Sequence, residues 1–155
     1  MRLKGRRVDL AVISGITALA AVVSQSWSGF NSPDSEFYAS LALYGSDVVD
    51  RAIEPSYIWT RLGYIAPVRG LALVFDPWAA FEIWRILLLF VIAAAVYSMA
   101  HTAGRPRALG GALALFTALN TVVLAYVGNT YLTGTVMAGT FTVIALGVWS
   151  FGSVA

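Results

Sequence analysis

The chain has 155 residues, of which 59% are hydrophobic and only 12% charged, about half the roughly 25% charge of an ordinary soluble domain. A mean hydropathy of +0.76 and a content of 5 Trp, 7 Tyr and 8 Phe exceed what a sphere of this size hides from water, which excludes a soluble single-domain enzyme. The absence of Cys excludes disulfides, thiolate metal sites and a cysteine nucleophile. A single histidine, His101, leaves little imidazole chemistry.

Arg2, Lys4, Arg6 and Arg7 open the chain, offset only by Asp9. Residues 8–27 follow; as a helix they extend about 30 Å, the thickness of a hydrocarbon core, and they predict a first membrane span. A cleaved secretory signal is the rival reading, since Ala18-Leu19-Ala20 fits a cleavage site. Residues 28–76 form a long polar connection whose six acids (Asp34, Glu36, Asp47, Asp50, Glu54, Asp76) face three bases (Arg51, Arg61, Arg69), a net charge of −3. Further spans are predicted at 77–100, 108–127 and 132–150, joined by the turns HTAGRPR and GNTY.

The fold class expected is therefore an all-α integral membrane protein, a single domain of about four transmembrane helices with a long outer loop. Backbone groups in lipid are satisfied only in helices or closed barrels, and these apolar runs are too long for alternating barrel strands. Basic residues favour the cytoplasmic side. The four at the N-terminus, with Arg105 and Arg107 in the HTAGRPR turn, predict a cytoplasmic N-terminus and place residues 28–76 outside.

The outer loop is too rich in aromatic and aliphatic residues to read as disordered. Ser32 as N-cap, Pro33 at the first helical position, then Asp34 and Glu36 predict a helix running to Gly45. Phe37, Tyr38, Leu41 and Tyr44 give it a face suited to the membrane surface. A second helix is predicted from about Ser56 to Phe75, kinked near Pro67. On it, Arg61 and Arg69 lie eight positions apart, about 80° around an ideal helix, so both can meet one anionic group such as a phosphate.

Each candidate has a plainer reading. Asp34 and Glu36 complement a helix dipole, and on a helix they project some 200° apart, too far to share a metal ion or a proton. A single catalytic carboxylate is more economical, and Asp34 shares a face with Tyr38. Glu82 and Arg85 lie inside the second span, where they either neutralise each other or leave Arg85 facing the same outer cavity as Arg61 and Arg69. Asp47, Asp50, Arg51 and Glu54 read as solvated surface. His101 reads as a structural cation at a helix end, Trp27, Trp59, Trp78, Trp84 and Trp149 as interfacial anchors, and Asn120 as a bond to a neighbouring helix. Nucleotide-binding glycine loops, zincin motifs and the serine-hydrolase elbow do not occur. A pI near 9.2 follows from the basic span ends and carries no nucleic-acid signal.

A basic start, one span and an outer loop opening with NSPDSEFYASLALYG resemble the GT-C superfamily of integral membrane glycosyltransferases, nearest to bacterial enzymes of the protein mannosyltransferase and aminoarabinose transferase type. The resemblance covers about residues 1–100. It implies a polyprenyl-phosphate sugar donor in a bacterial plasma membrane, with Asp34 as the base and Glu36 as second acid of the motif; Glu36 and Tyr38, the latter on the face of Asp34, are positional candidates near the acceptor or a metal ion. Arg61, Arg69 and Arg85 are positional candidates for phosphate contact, with a divalent cation assisting or replacing them. Members of that family have many more spans, so the resemblance also implies that the chain is an N-terminal portion. The alternative is a non-enzymatic four-span membrane subunit whose outer loop binds a partner; a small transporter is a weaker third.

Overall fold

A computed structural model describes residues 2–24, 33–44, 62–128 and 132–152, with side chains throughout these ranges except at 2–6, 33–38, 128, 132–133 and 152. Among the described residues there are seven helices and no strand: α1 (Arg2–Ser24), α2 (Pro33–Tyr44), α3 (Leu62–Ala72), α4 (Pro77–Thr102), α5 (Arg107–Ala118), α6 (Thr121–Gly128) and α7 (Leu132–Gly152). Three are long and apolar enough to cross a membrane, namely Arg7–Ser24 of α1, the whole of α4, and Gly134–Phe151 of α7. Large apolar side chains such as Phe116 and Phe151 stand 74% and 81% exposed, a surface that suits lipid rather than water.

Several hydroxyls within these helices are absorbed locally. Thr17 Oγ1 donates to Ile13 O at 2.9 Å, Thr140 Oγ1 to Val136 O at 2.9 Å and Thr142 Oγ1 to Ala138 O at 2.8 Å, so each hydroxyl is satisfied by its own helix. At the start of α4, the Asp76 carboxylate accepts from Ala79 N at 3.1 Å with Pro77 next in line, which is the expected start of a helix. At its end Gly104 takes φ 71°, where a side chain is disfavoured. Its N–H donates to His101 O and that of Arg105 to Ala100 O, both at 3.0 Å. These two bonds form a Schellman turn, and Pro106 follows it.

The main core joins Ile13, Ile16 and Ala20 of α1 to Leu88, Leu89, Ile92, Ala93 and Tyr97 of α4, with Ala114, Ala118, Val123, Val127 and Ala138 from the later helices. Small residues let the helices close up: Gly110, Ala114 and Ala118 form the buried face of α5. A Cβ at Gly110 would already lie 3.5 Å from Ala100 Cβ. Gly134 is tighter, since a Cβ there would come within 2.9 Å of Tyr126 O and 3.0 Å of Val127 Cα.

The third span expected at 108–127 is divided between two helices. α5 and α6 pass as one apolar span only as a pair bent by 59°. Asn120, expected to reach a neighbouring helix, instead accepts from Val122 N through its side-chain oxygen at 2.9 Å. A short amide side chain competes with helix continuation by capping the next segment, and this local bond accounts for both departures.

A smaller core joins Ala39, Leu41 and Ala42 of α2 to Tyr64, Ile65 and Val68 of α3 and Phe81 of α4. Of the face expected on α2, Leu41 is buried but Tyr44 is exposed; Phe37 and Tyr38 lie outside the described side chains. The alanines set the packed face because they permit close approach. The helix expected to be interrupted or kinked near Pro67 and to reach Phe75 instead runs from Leu62 through Pro67 and ends at Ala72; residues 45–61 lie outside the described residues. Trp84 packs against both cores, filling the junction between them rather than anchoring an interface. Trp78 and Trp149 are exposed near helix ends, and Trp27 and Trp59 fall outside the description.

Candidate functional site

Two polar clusters tie α1 to α4, and they show the two helices running antiparallel. In the first, Arg85 of α4 is buried. Its Nε donates to Glu82 Oε2 at 3.1 Å and its Nη1 to Ala21 O at 3.3 Å. Nη2 adds a second contact to Glu82 Oε2, and Nη1 also donates to Ser24 Oγ. Ser24, fully buried, donates in turn to Ala21 O at 3.1 Å. A guanidinium in a low-dielectric interior is tolerable only with a counter-ion and acceptors for its remaining protons. Here Glu82 supplies the charge, and the last turn of α1, whose carbonyls carry partial negative charge, supplies the rest.

The second cluster lies 12 positions further along α4, about 18 Å away. Tyr97 Oη donates to Asp9 Oδ1 at 2.8 Å, and Arg107 Nε forms an ion pair with the same oxygen at 2.9 Å. One carboxylate thus joins α1, α4 and the first residue of α5. Sequence reasoning placed Asp9 and Arg107 at span ends and missed their pairing. The available signal was that Asp9 is the sole acid among the basic residues of that end, while Tyr97 is a polar-tipped ring near the end of an apolar helix.

The residues expected to form an outer site are distributed as follows. Asp34, Glu36 and Tyr38 fall in the first turns of α2, and their side chains lie outside the described residues, as does Arg61 altogether. Arg69 is in the last turn of α3 and exposed. Arg85, by contrast, is turned into the bundle toward α1. Ala39, Leu41 and Ala42 of α2 pack on α3, and α3 packs on α4, so α2 and α3, the latter carrying Arg69, form one lobe beside α4. Among the described residues no group of three or more His, Asp or Glu is placed to hold a metal ion. Trp84 Nε1 and Thr135 Oγ1 are buried without a hydrogen-bond partner.

Compared with protein-family models, with curated proteins and with solved structures, the chain matches none.

Proposed function

We propose that this chain forms the catalytic-lobe end of a membrane glycosyltransferase of the GT-C kind, moving a sugar from a polyprenyl-phosphate donor to an acceptor hydroxyl at the outer face of a bacterial plasma membrane. One observation carries the reading: an acid-opened helix, α2, is folded through α3 onto a candidate span, α4. A lipid-linked donor needs such an arrangement, with its tail in the bilayer and its phosphate at the edge of a folded lobe. In this reading the chain crosses four times, the bent α5–α6 pair counting as one crossing, with the N-terminus cytoplasmic.

Asp34 takes the proton from the acceptor hydroxyl as that oxygen attacks the anomeric carbon, and the phosphate leaves in a single inverting displacement. Asp34 and Glu36 are both helical, two positions or about 200° apart, which favours one base over a shared pair. Arg69, with Arg61, meets the charge that develops on the leaving phosphate; a divalent cation serves the same purpose. Arg85 joins them only when its links to Ser24 and Ala21 open. The test is Asp34→Asn in the full chain in membranes: transfer from a polyprenyl-phosphate sugar is abolished while donor binding persists, and near-normal turnover would sink the assignment.

The internal commitment of Arg85 favours a second reading, a non-enzymatic membrane subunit whose outer lobe binds a partner. Its signature is an absence of transfer in the unaltered chain, together with a co-purifying membrane protein that is lost when α2 is altered.

A further inference from the structure

Between α4 and α7 runs an open groove of about 540 Å³, flanked by Phe90, Ala94 and Ser98 on one side and by Thr142, Leu146 and Trp149 on the other. Two of its hydroxyls are already used: Ser98 Oγ donates to Ala95 O at 2.9 Å and Thr142 Oγ1 to Ala138 O at 2.8 Å. The wall is therefore mainly hydrocarbon, with the Thr102 hydroxyl and the Trp149 indole as its remaining polar groups, which suits an acyl chain and penalises a strongly polar ligand. From Phe90 to Thr102, its limits on α4, the groove covers 12 positions, about 18 Å, close to the roughly 15 Å depth of one leaflet.

The groove ends at the basic end of the bundle. His101, three positions after Ser98 and seven after Ala94, continues the same stripe of α4 and is exposed, as is Arg105 just beyond it. Asp9, the one acid of this end, is taken by Tyr97 and Arg107, so the positive charge of Arg105 is not cancelled nearby. An apolar slot one leaflet deep that opens beneath exposed basic side chains is complementary to a lipid with a hydrocarbon tail and an anionic head.

We propose that the α4–α7 groove is a binding site for an anionic phospholipid of the leaflet at the basic end, its acyl chain along Ala94 and Leu146 and its phosphate against Arg105 and His101. The site rests on the bundle lying in a membrane and is independent of the transferase reading, whose donor lipid belongs to the opposite end. A second copy of the chain is the less suitable occupant, because a crossing helix needs contact through both leaflets and the groove serves one.

The test is native mass spectrometry of the full chain released from micelles containing equal phosphatidylglycerol and phosphatidylcholine. Phosphatidylglycerol is retained preferentially, and Arg105→Gln lowers that preference about fivefold, the effect of one basic side chain near an anionic surface. Ala94→Phe, which fills the slot without changing charge, removes retention, and excess inorganic phosphate does not compete. Equal retention of the two lipids, an unchanged preference in Arg105→Gln, displacement by free phosphate, or a dimer in place of lipid adducts overturns the proposal. Arg105 is exposed, so its variant decides the question even if Ala94→Phe fails to fold.

Discussion

Arg85 and Glu82 form an ion pair in which the arginine side chain is 6% exposed and the glutamate side chain 42%. The cation is locked inside the bundle, while the anion stands at its edge. The two charges are therefore not equivalent, and removing one differs from removing the other.

Glu82→Ala leaves a buried guanidinium with only the Ser24 hydroxyl and the Ala21 carbonyl, and is expected to cost about 3 kcal/mol. Arg85→Met leaves a carboxylate that is already partly exposed and replaces the guanidinium with an apolar chain of similar length; about 1 kcal/mol is expected, near the typical cost of a single substitution. Denaturant unfolding in micelles followed by circular dichroism measures both. The reverse order of effects would show that the glutamate, not the arginine, is the desolvated member.

At the other polar cluster, Asp9 accepts from Tyr97 and forms an ion pair with Arg107. Tyr97→Phe deletes a part-buried hydrogen bond to a charged acceptor and should cost about 1.5 kcal/mol. Arg107→Gln removes an exposed ion pair and should cost under about 1 kcal/mol. A cost for Arg107→Gln equal to that of Tyr97→Phe would mean that the basic end of the bundle is far drier than the half-exposed Arg107 side chain implies.

How much of this was legible beforehand follows from the range of the interactions. Asp76-Pro77 and Gly104-Arg105-Pro106 announce the ends of α4 because caps and Schellman turns are built from neighbours in sequence. Membrane character was equally plain, since it is a sum over residues. The Asp9–Tyr97 bond spans 88 positions, and nothing local marks it. The break at Asn120 was hidden for the opposite reason: the segment around it is apolar on average, and hydropathy cannot tell a straight helix from a bent one. The acidic opening of α2 was visible as a motif, but its attachment through Ala39 and Ala42 was not. Alanines look neutral in sequence and matter only once a partner helix approaches them.

Gly134 and Gly139 separate two uses of glycine within one helix. A Cβ at Gly134 meets the backbone of Tyr126 and Val127, which cannot rotate away, whereas one at Gly139 meets nothing within 4 Å. Gly134→Ala should cost about 1 to 3 kcal/mol through overpacking. Gly139→Ala should be neutral or stabilising by up to about 1 kcal/mol from helix propensity. Thermal unfolding of the two variants side by side checks this, and equal behaviour would mean that α6 and α7 are not in the close contact described.

The proposed orientation is open to a clean test because the sequence contains no cysteine, so any thiol introduced is the only one in the chain. Val74 lies in the turn between α3 and α4 and Arg105 in the turn between α4 and α5, at opposite ends of α4; both are exposed. A cytoplasmic N-terminus requires Arg105→Cys to react with a membrane-impermeant maleimide only after the membrane is opened, and Val74→Cys to react in intact cells. The positive-inside preference supports this assignment, since Arg105 and Arg107 flank one turn and the N-terminal segment carries four further basic residues. The opposite labelling pattern would invert the topology and move α2, with Asp34, to the cytoplasmic face. Transfer at the outer surface would then fail as a proposal, while the lipid groove would keep its place at the basic end but face the opposite leaflet.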